Sequence, residues 1–203
     1  ALSFVYKGEP QYSFECLTAF AGATISWIEN NLNLINDPND SERISLELED
    51  NGGVYVIPAF AGLSAPYWLP SAKAMFYGIT AATNFKHIVR ASLESVAYQI
   101  AAYLEYIQKN EKIDISKIII DGGMTNNSFL MQLISNLSQK EISIPLFPDM
   151  SSYGSLLMGL IGSGKCKNLD ELEQFRVESR SFFPAKDERS ISDFTTWKEI
   201  IDK

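Results

Sequence analysis

Histidine and cysteine are scarce in this chain: one histidine and two cysteines among 203 residues. Cys16 and Cys166 lie far apart and in no CxxC arrangement. That excludes a disulfide framework and a zinc site at ligand spacing, and suits two reduced thiols of a cytoplasmic protein. Long hydrophobic runs are also lacking; none reaches the roughly 18 residues of a membrane span. Basic clusters are missing too. Acidic residues outnumber basic ones 25 to 17, for a net charge of −8. Nucleic acid and anionic membranes are therefore poor partners. The opening ALSFVYKGEP has neither an initiator Met nor a basic, then apolar, leader. It starts as though inside a strand, so the expectation is a piece of a longer chain.

What is present fits an ordinary globular protein, with 46% hydrophobic and 21% charged residues. LSFVY and QYSFE around KGEP predict a hairpin. A helix is expected from Leu17 to about Leu34, and a short one capped by Asp40 or Ser41. VYVIPAF reads as a buried strand ended by its proline. AGLSAPYWLPSAKAM reads as a loop. Asn84 caps a long helix with Leu93, Val96, Ala97, Ile100, Leu104 and Ile107 on one stripe. Ile118–Ile120 is expected as a fully buried strand, followed by helix, strand and helix, and a last helix near Trp197. The order predicts an α/β layered core with some parallel pairing, in one domain.

Two glycine-rich stretches compete as phosphate-binding loops. GLIGSGKC, Gly159–Cys166, misses the GxxxxGK[ST] pattern by one residue. It follows an apolar helix rather than a strand, so its glycines fit a helix C-cap, whose carbonyls repel phosphate. DGGMTNN, Asp121–Asn127, has the right context: a strand enters, Gly122 and Gly123 turn the chain, and a helix leaves. Asp121 is expected to hold loop amides. His87 is expected to make a structural hydrogen bond in the first turn of the long helix. Tyr67 and Trp68 are expected to pack in their loop, and Glu94 to pair internally.

At GVYVIPAFAGLSAPYWLPSA, FYGITAATNFKHIVRASLESVAYQ and DGGMTNNSFLMQ the chain resembles the C-terminal domain of the FGGY carbohydrate kinases. Within the family it resembles the glycerol-kinase branch. Ala74–Glu94 fits the family's C-terminal signature, and the likeness runs through YSFECLTAFAGATISW to KNLDELEQF and FFPAKDERS. The resemblance implies an actin-like ATPase (ribonuclease H-like) domain, a mixed sheet flanked by helices. It implies ATP as ligand, Mg²⁺ in the intact enzyme, and a polyol or sugar substrate held, with the catalytic base, by an N-terminal domain outside this chain. A homo-oligomer is compatible with it. Residue by residue, it gives nucleotide contacts to Gly22, Gly123 and Asn127, and no catalytic or metal-binding residue. Ser26 stands where the family often has Gln, too short for a contact. Ser155 and Leu156 replace smaller alanines and are expected to narrow the packing beside the cleft.

Overall fold

The computed structural model describes residues 2–13, 18, 20–147 and 149–203. Cys16, the expected strand end at Phe14 and Glu15, and the expected helix start at Leu17 lie outside them. The chain divides into two compact units, Ala1–Lys112 and Ile113–Lys203.

In the first unit, β1 (Leu2–Tyr6) and β2 (Glu9–Tyr12) pair antiparallel. Lys7 and Gly8 join them with φ of 51° and 84°. Two positive φ values match the right-handed twist of a two-residue hairpin. Helix α1 spans Gly22–Leu32 and α2 Asp40–Leu46. The expected cap of α2 is corrected. Asn39 holds that position without a side-chain bond, and the Ser41 hydroxyl donates to the Pro38 carbonyl at 2.6 Å. Asp40 falls instead in the first turn, where the helix dipole favours a carboxylate.

β3 (Tyr55–Ile57) is buried throughout and pairs antiparallel with β4 (Met75–Tyr77). β4 was not expected; it begins at Met75, the last residue of the expected loop, and three residues are too short to display alternation. Long helix α3 (Phe85–Tyr106) begins with a reciprocal cap. The Asn84 side chain accepts from the Lys86 amide at 3.0 Å, and His87 Nδ1 accepts from the Asn84 amide at 3.1 Å. The single histidine thus closes a capping box. Val54, Val56 and Ala91 form a core between β3 and α3, covered by Phe76. Trp68, expected to pack, is 72% exposed.

The second unit holds a three-stranded mixed sheet in the order β5-β6-β7. β5 (Lys117–Ile119) runs parallel to β6 (Glu141–Pro145), and β7 (Ser179–Phe182) runs antiparallel to it. A parallel pair needs a crossover, supplied here by α4 (Ser128–Ser138). Leu130, Met131, Leu133 and Ile134 of α4 are buried, and α4 packs on β6, β7 and α6 (Glu188–Ile201). Each fully buried large apolar side chain, such as Ile134 or Ile142, contributes roughly 1.5–3 kcal/mol. α5 (Met150–Gly162) is opened by Asp149, which accepts from the Ser152 amide at 2.9 Å and its hydroxyl at 2.6 Å. The Ser152 side-chain bond, then the Ser152 amide, holds the Asp149 carboxyl below its ordinary range.

The expectation of a fully buried strand at Ile118–Ile120 is overturned, since Ile119 is 64% exposed. β5 pairs only with β6 in the described sheet. The face carrying Ile119, Ser143 and Ser181 fronts an open cleft of about 560 Å³ toward Tyr153 and Leu157 of α5.

Candidate functional site

The sheet leads directly to the Gly-Gly turn. The chain leaves β5 and the Asp121 carboxylate accepts from the Gly122 amide at 2.7 Å, as expected of a residue that fastens loop amides. Gly122 has φ 109° and ψ 171°, a region open essentially to glycine alone. A 3₁₀ turn then runs from Gly123 to Asn126. The Thr125 hydroxyl and amide both donate to the Gly122 carbonyl, at 2.7 and 3.0 Å. Asn127 caps α4, its side-chain oxygen accepting from the Leu130 amide at 2.8 Å.

This turn borders a cleft of about 520 Å³. Asp121, Gly122, Gly123, Thr125 and Asn126 form one wall, and Ile144 to Phe147 another. It sits at the carboxyl ends of the parallel strands, where open α/β sheets bind their ligands. The positive φ belongs to Gly122. Gly123 has none, and a Cβ built on it meets nothing within 4 Å. Gly123 is therefore open toward the cleft rather than strained. Asn126 lines the cleft, while Asn127 is 9% exposed and engaged as a cap. Asn127→Ala should accordingly lower unfolding free energy by about 0.5–2 kcal/mol, measured by urea unfolding. An unchanged midpoint would show that the cap is dispensable.

Gly22 is the first residue of α1, in the first unit, after Ala21 with no side-chain cap. Thr24 anchors that start, its hydroxyl donating to the Phe20 carbonyl. Ser26 follows one turn later on α1. Ser155 and Leu156 do not line the Gly-Gly cleft; Leu156 is 59% exposed on α5.

GLIGSGKC ends α5. Gly164 has φ 74°, and the amides of Lys165 and Cys166 donate back to the Leu160 carbonyl at 2.9 and 3.0 Å. Phosphate would meet carbonyl oxygens there, so GLIGSGKC ends a helix, as expected, rather than forming a P-loop. Sequence reasoning missed Arg180. It reaches the cleft from β7, and its guanidinium donates to the Thr125 carbonyl at 2.7 Å. A single arginine in ESRSFF, 55 residues from its partner, carries no local signal.

Residues 2–163 match the model of the FGGY family of carbohydrate kinases, C-terminal domain. Glycerol kinase of Haemophilus influenzae (strain KW20 / Rd) is 39% identical over 197 residues, 96% of this chain and 39% of that protein. Glycerol kinase of Francisella tularensis subsp. novicida is 34% identical over 100% of this chain and 41% of that protein. The chain thus spans about two fifths of the relatives' length. The solved structure of Plasmodium falciparum glycerol kinase with ADP matches with a TM-score of 0.85 and 30% identity, covering 97% of this chain and 39% of that one. Ligand-bound xylulose kinase from Lactobacillus acidophilus matches with a TM-score of 0.75 at 20% identity, over 89% of this chain and 37% of that one. At that identity the likeness concerns the fold.

Proposed function

The chain belongs to the FGGY family of carbohydrate kinases, as its C-terminal domain with an actin-like ATPase fold, and from that premise we propose that it is the nucleotide-binding domain of an ATP-dependent glycerol kinase. The intact enzyme would convert ATP and glycerol to ADP and glycerol 3-phosphate in the cytoplasm. The observation that carries this is the Gly-Gly cleft at the carboxyl ends of β5 and β6, in a chain similar throughout to a glycerol kinase solved with ADP.

Phosphoryl transfer depends mainly on positioning and on stabilising charge. Here Gly122 turns the chain without a side chain in the way, and Gly123 leaves space for the ligand's close approach. Asn127 fixes the start of α4 beside this turn; Asn127 and, in the first unit, Gly22 are each proposed as a nucleotide contact. The base and the polyol contacts would come from the N-terminal domain. Among the described residues no group of three His, Cys, Asp or Glu could hold a metal. Among the described residues Asp121 is the only carboxylate lining the cleft, and it already receives an amide. Mg²⁺ fits such a site as an ion held by the nucleotide phosphates, with Asp121 at most reaching it through water. It would neutralise phosphate charge.

Gly123→Val in the full-length protein tests the reading. Valine adds its branches in open space, so the fold should hold while the cleft fills. The KM for ATP should rise about tenfold or more, with the KM for glycerol and the Tm little changed. An unchanged ATP KM in the folded variant would remove the cleft from the nucleotide site.

A further inference from the structure

Among the described residues the walls of the Gly-Gly cleft carry one positive charge, that of Arg180. This is notable in a chain of net charge −8. Elsewhere, cations next to carboxylates are paired: Lys117 with Glu141 at 2.8 Å, Arg90 with Glu94 at 2.8 Å, Arg43 with Glu47 at 2.7 Å. Arg180 has no carboxylate partner among the described residues. It is nonetheless held in place. Its guanidinium donates to the Thr125 carbonyl at 2.7 Å and lies over the Phe182 ring at 5.1 Å. Its backbone is fixed in register opposite Ile144 by the β6–β7 ladder. A guanidinium has five N–H donors in a rigid fork, and the Thr125 bond uses one of its nitrogens. A cation oriented in this way loses little freedom on meeting an anion.

We propose that Arg180 is the phosphate-recognition residue of the Gly-Gly cleft, its guanidinium steadied by Thr125 and Phe182 and its remaining donors directed to the nucleotide's phosphate groups. The assignment rests on the nucleotide-domain reading above and adds a residue to it. The strand that carries Arg180 is the antiparallel edge strand β7, far downstream of the turn. Chain topology brings the positive charge to a turn whose own charged group is the Asp121 carboxylate.

The test compares ADP and adenosine binding by calorimetry to the full-length protein and to Arg180→Gln, Arg180→Lys and Gly123→Val. Glutamine keeps an amide donor, on a shorter side chain, but removes the charge. Arg180→Gln should weaken ADP about tenfold or more, with adenosine affinity held within about twofold. Arg180→Lys, which keeps the charge without the fork, should fall between. The salt dependence of ADP binding should also be shallower in Arg180→Gln. Unchanged ADP affinity in Arg180→Gln, alongside weakened ADP in Gly123→Val, would overturn the Arg180 assignment alone. Equal losses for ADP and adenosine would overturn it too, because they would mark a brace for the turn rather than a phosphate contact. Unchanged ADP affinity in both Gly123→Val and Arg180→Gln would take away the cleft reading and the assignment together.

Discussion

Replacing Glu94 by alanine should lower the unfolding free energy by about 3–5 kcal/mol, the effect of breaking a buried ion pair by removing one partner. Glu94 is 4% exposed within α3. One carboxylate oxygen accepts from Arg90 Nε at 2.8 Å, the other from the Asn51 side-chain amide at 2.9 Å and from the Tyr98 hydroxyl at 3.4 Å. Arg90 in turn donates to the carbonyls of Ser45 and Leu48. Ser45 is in the last turn of α2 and Leu48 lies just past its cap, where a cation also meets the negative end of the helix dipole. Truncating Glu94 takes the Glu94 counter-charge from the part-buried Arg90 and leaves the Asn51 amide without that acceptor. Glu94→Gln should cost less, because a carbonyl oxygen remains for Asn51. Urea unfolding of the two variants provides the comparison, and a loss below about 1 kcal/mol for Glu94→Ala would mean that solvent already screens the pair.

The second large effect should come from Gly78→Ala. Gly78 follows β4 at φ 80°, and a Cβ there would stand 2.0 Å from the Gly53 carbonyl oxygen. Backbone on both sides of the β3–β4 pair would have to move. The left-handed conformation alone costs about 1–2 kcal/mol for a residue with a Cβ. With the clash added, the total should reach about 3 kcal/mol or more. Gly53→Ala is the control. Gly53 also has positive φ, 75°, but its Cβ would meet nothing within 4 Å, so only the conformational part should register. If Gly78→Ala unfolds no more readily than Gly53→Ala, the close approach of the two backbones has no energetic weight. The two predictions share a neighbourhood: Asn51 accepts the Gly53 amide at 2.9 Å while donating to Glu94. A Glu94→Ala, Gly78→Ala double variant should therefore be less destabilised than the two single losses added together.

The sequence by itself determined the features whose chemistry is complete within a few residues. Asn84 and His87 close a capping box across three positions, so the start of α3 was legible. KGEP announced the hairpin, although its turn is only Lys7-Gly8 and Glu9-Pro10 belong to β2, and Gly164 stopped α5, as expected of a helix C-cap rather than a P-loop. Asp121-Gly122-Gly123 announced a turn between strand and helix for the same reason. The family resemblance was legible too, because it rests on residue identities rather than on contacts. Only the tertiary structure decided which glycine of the pair is strained, since the positive φ falls on Gly122 and leaves Gly123 open. It alone exposed Ile119, because burial of an apolar strand depends on which helix covers each face of the sheet. It alone showed β4, whose three residues are a strand by virtue of pairing with Tyr55–Ile57. And it alone brought Arg180 to the Thr125 carbonyl, because the register of β7 against β6 is fixed by hydrogen bonds between segments distant in the chain.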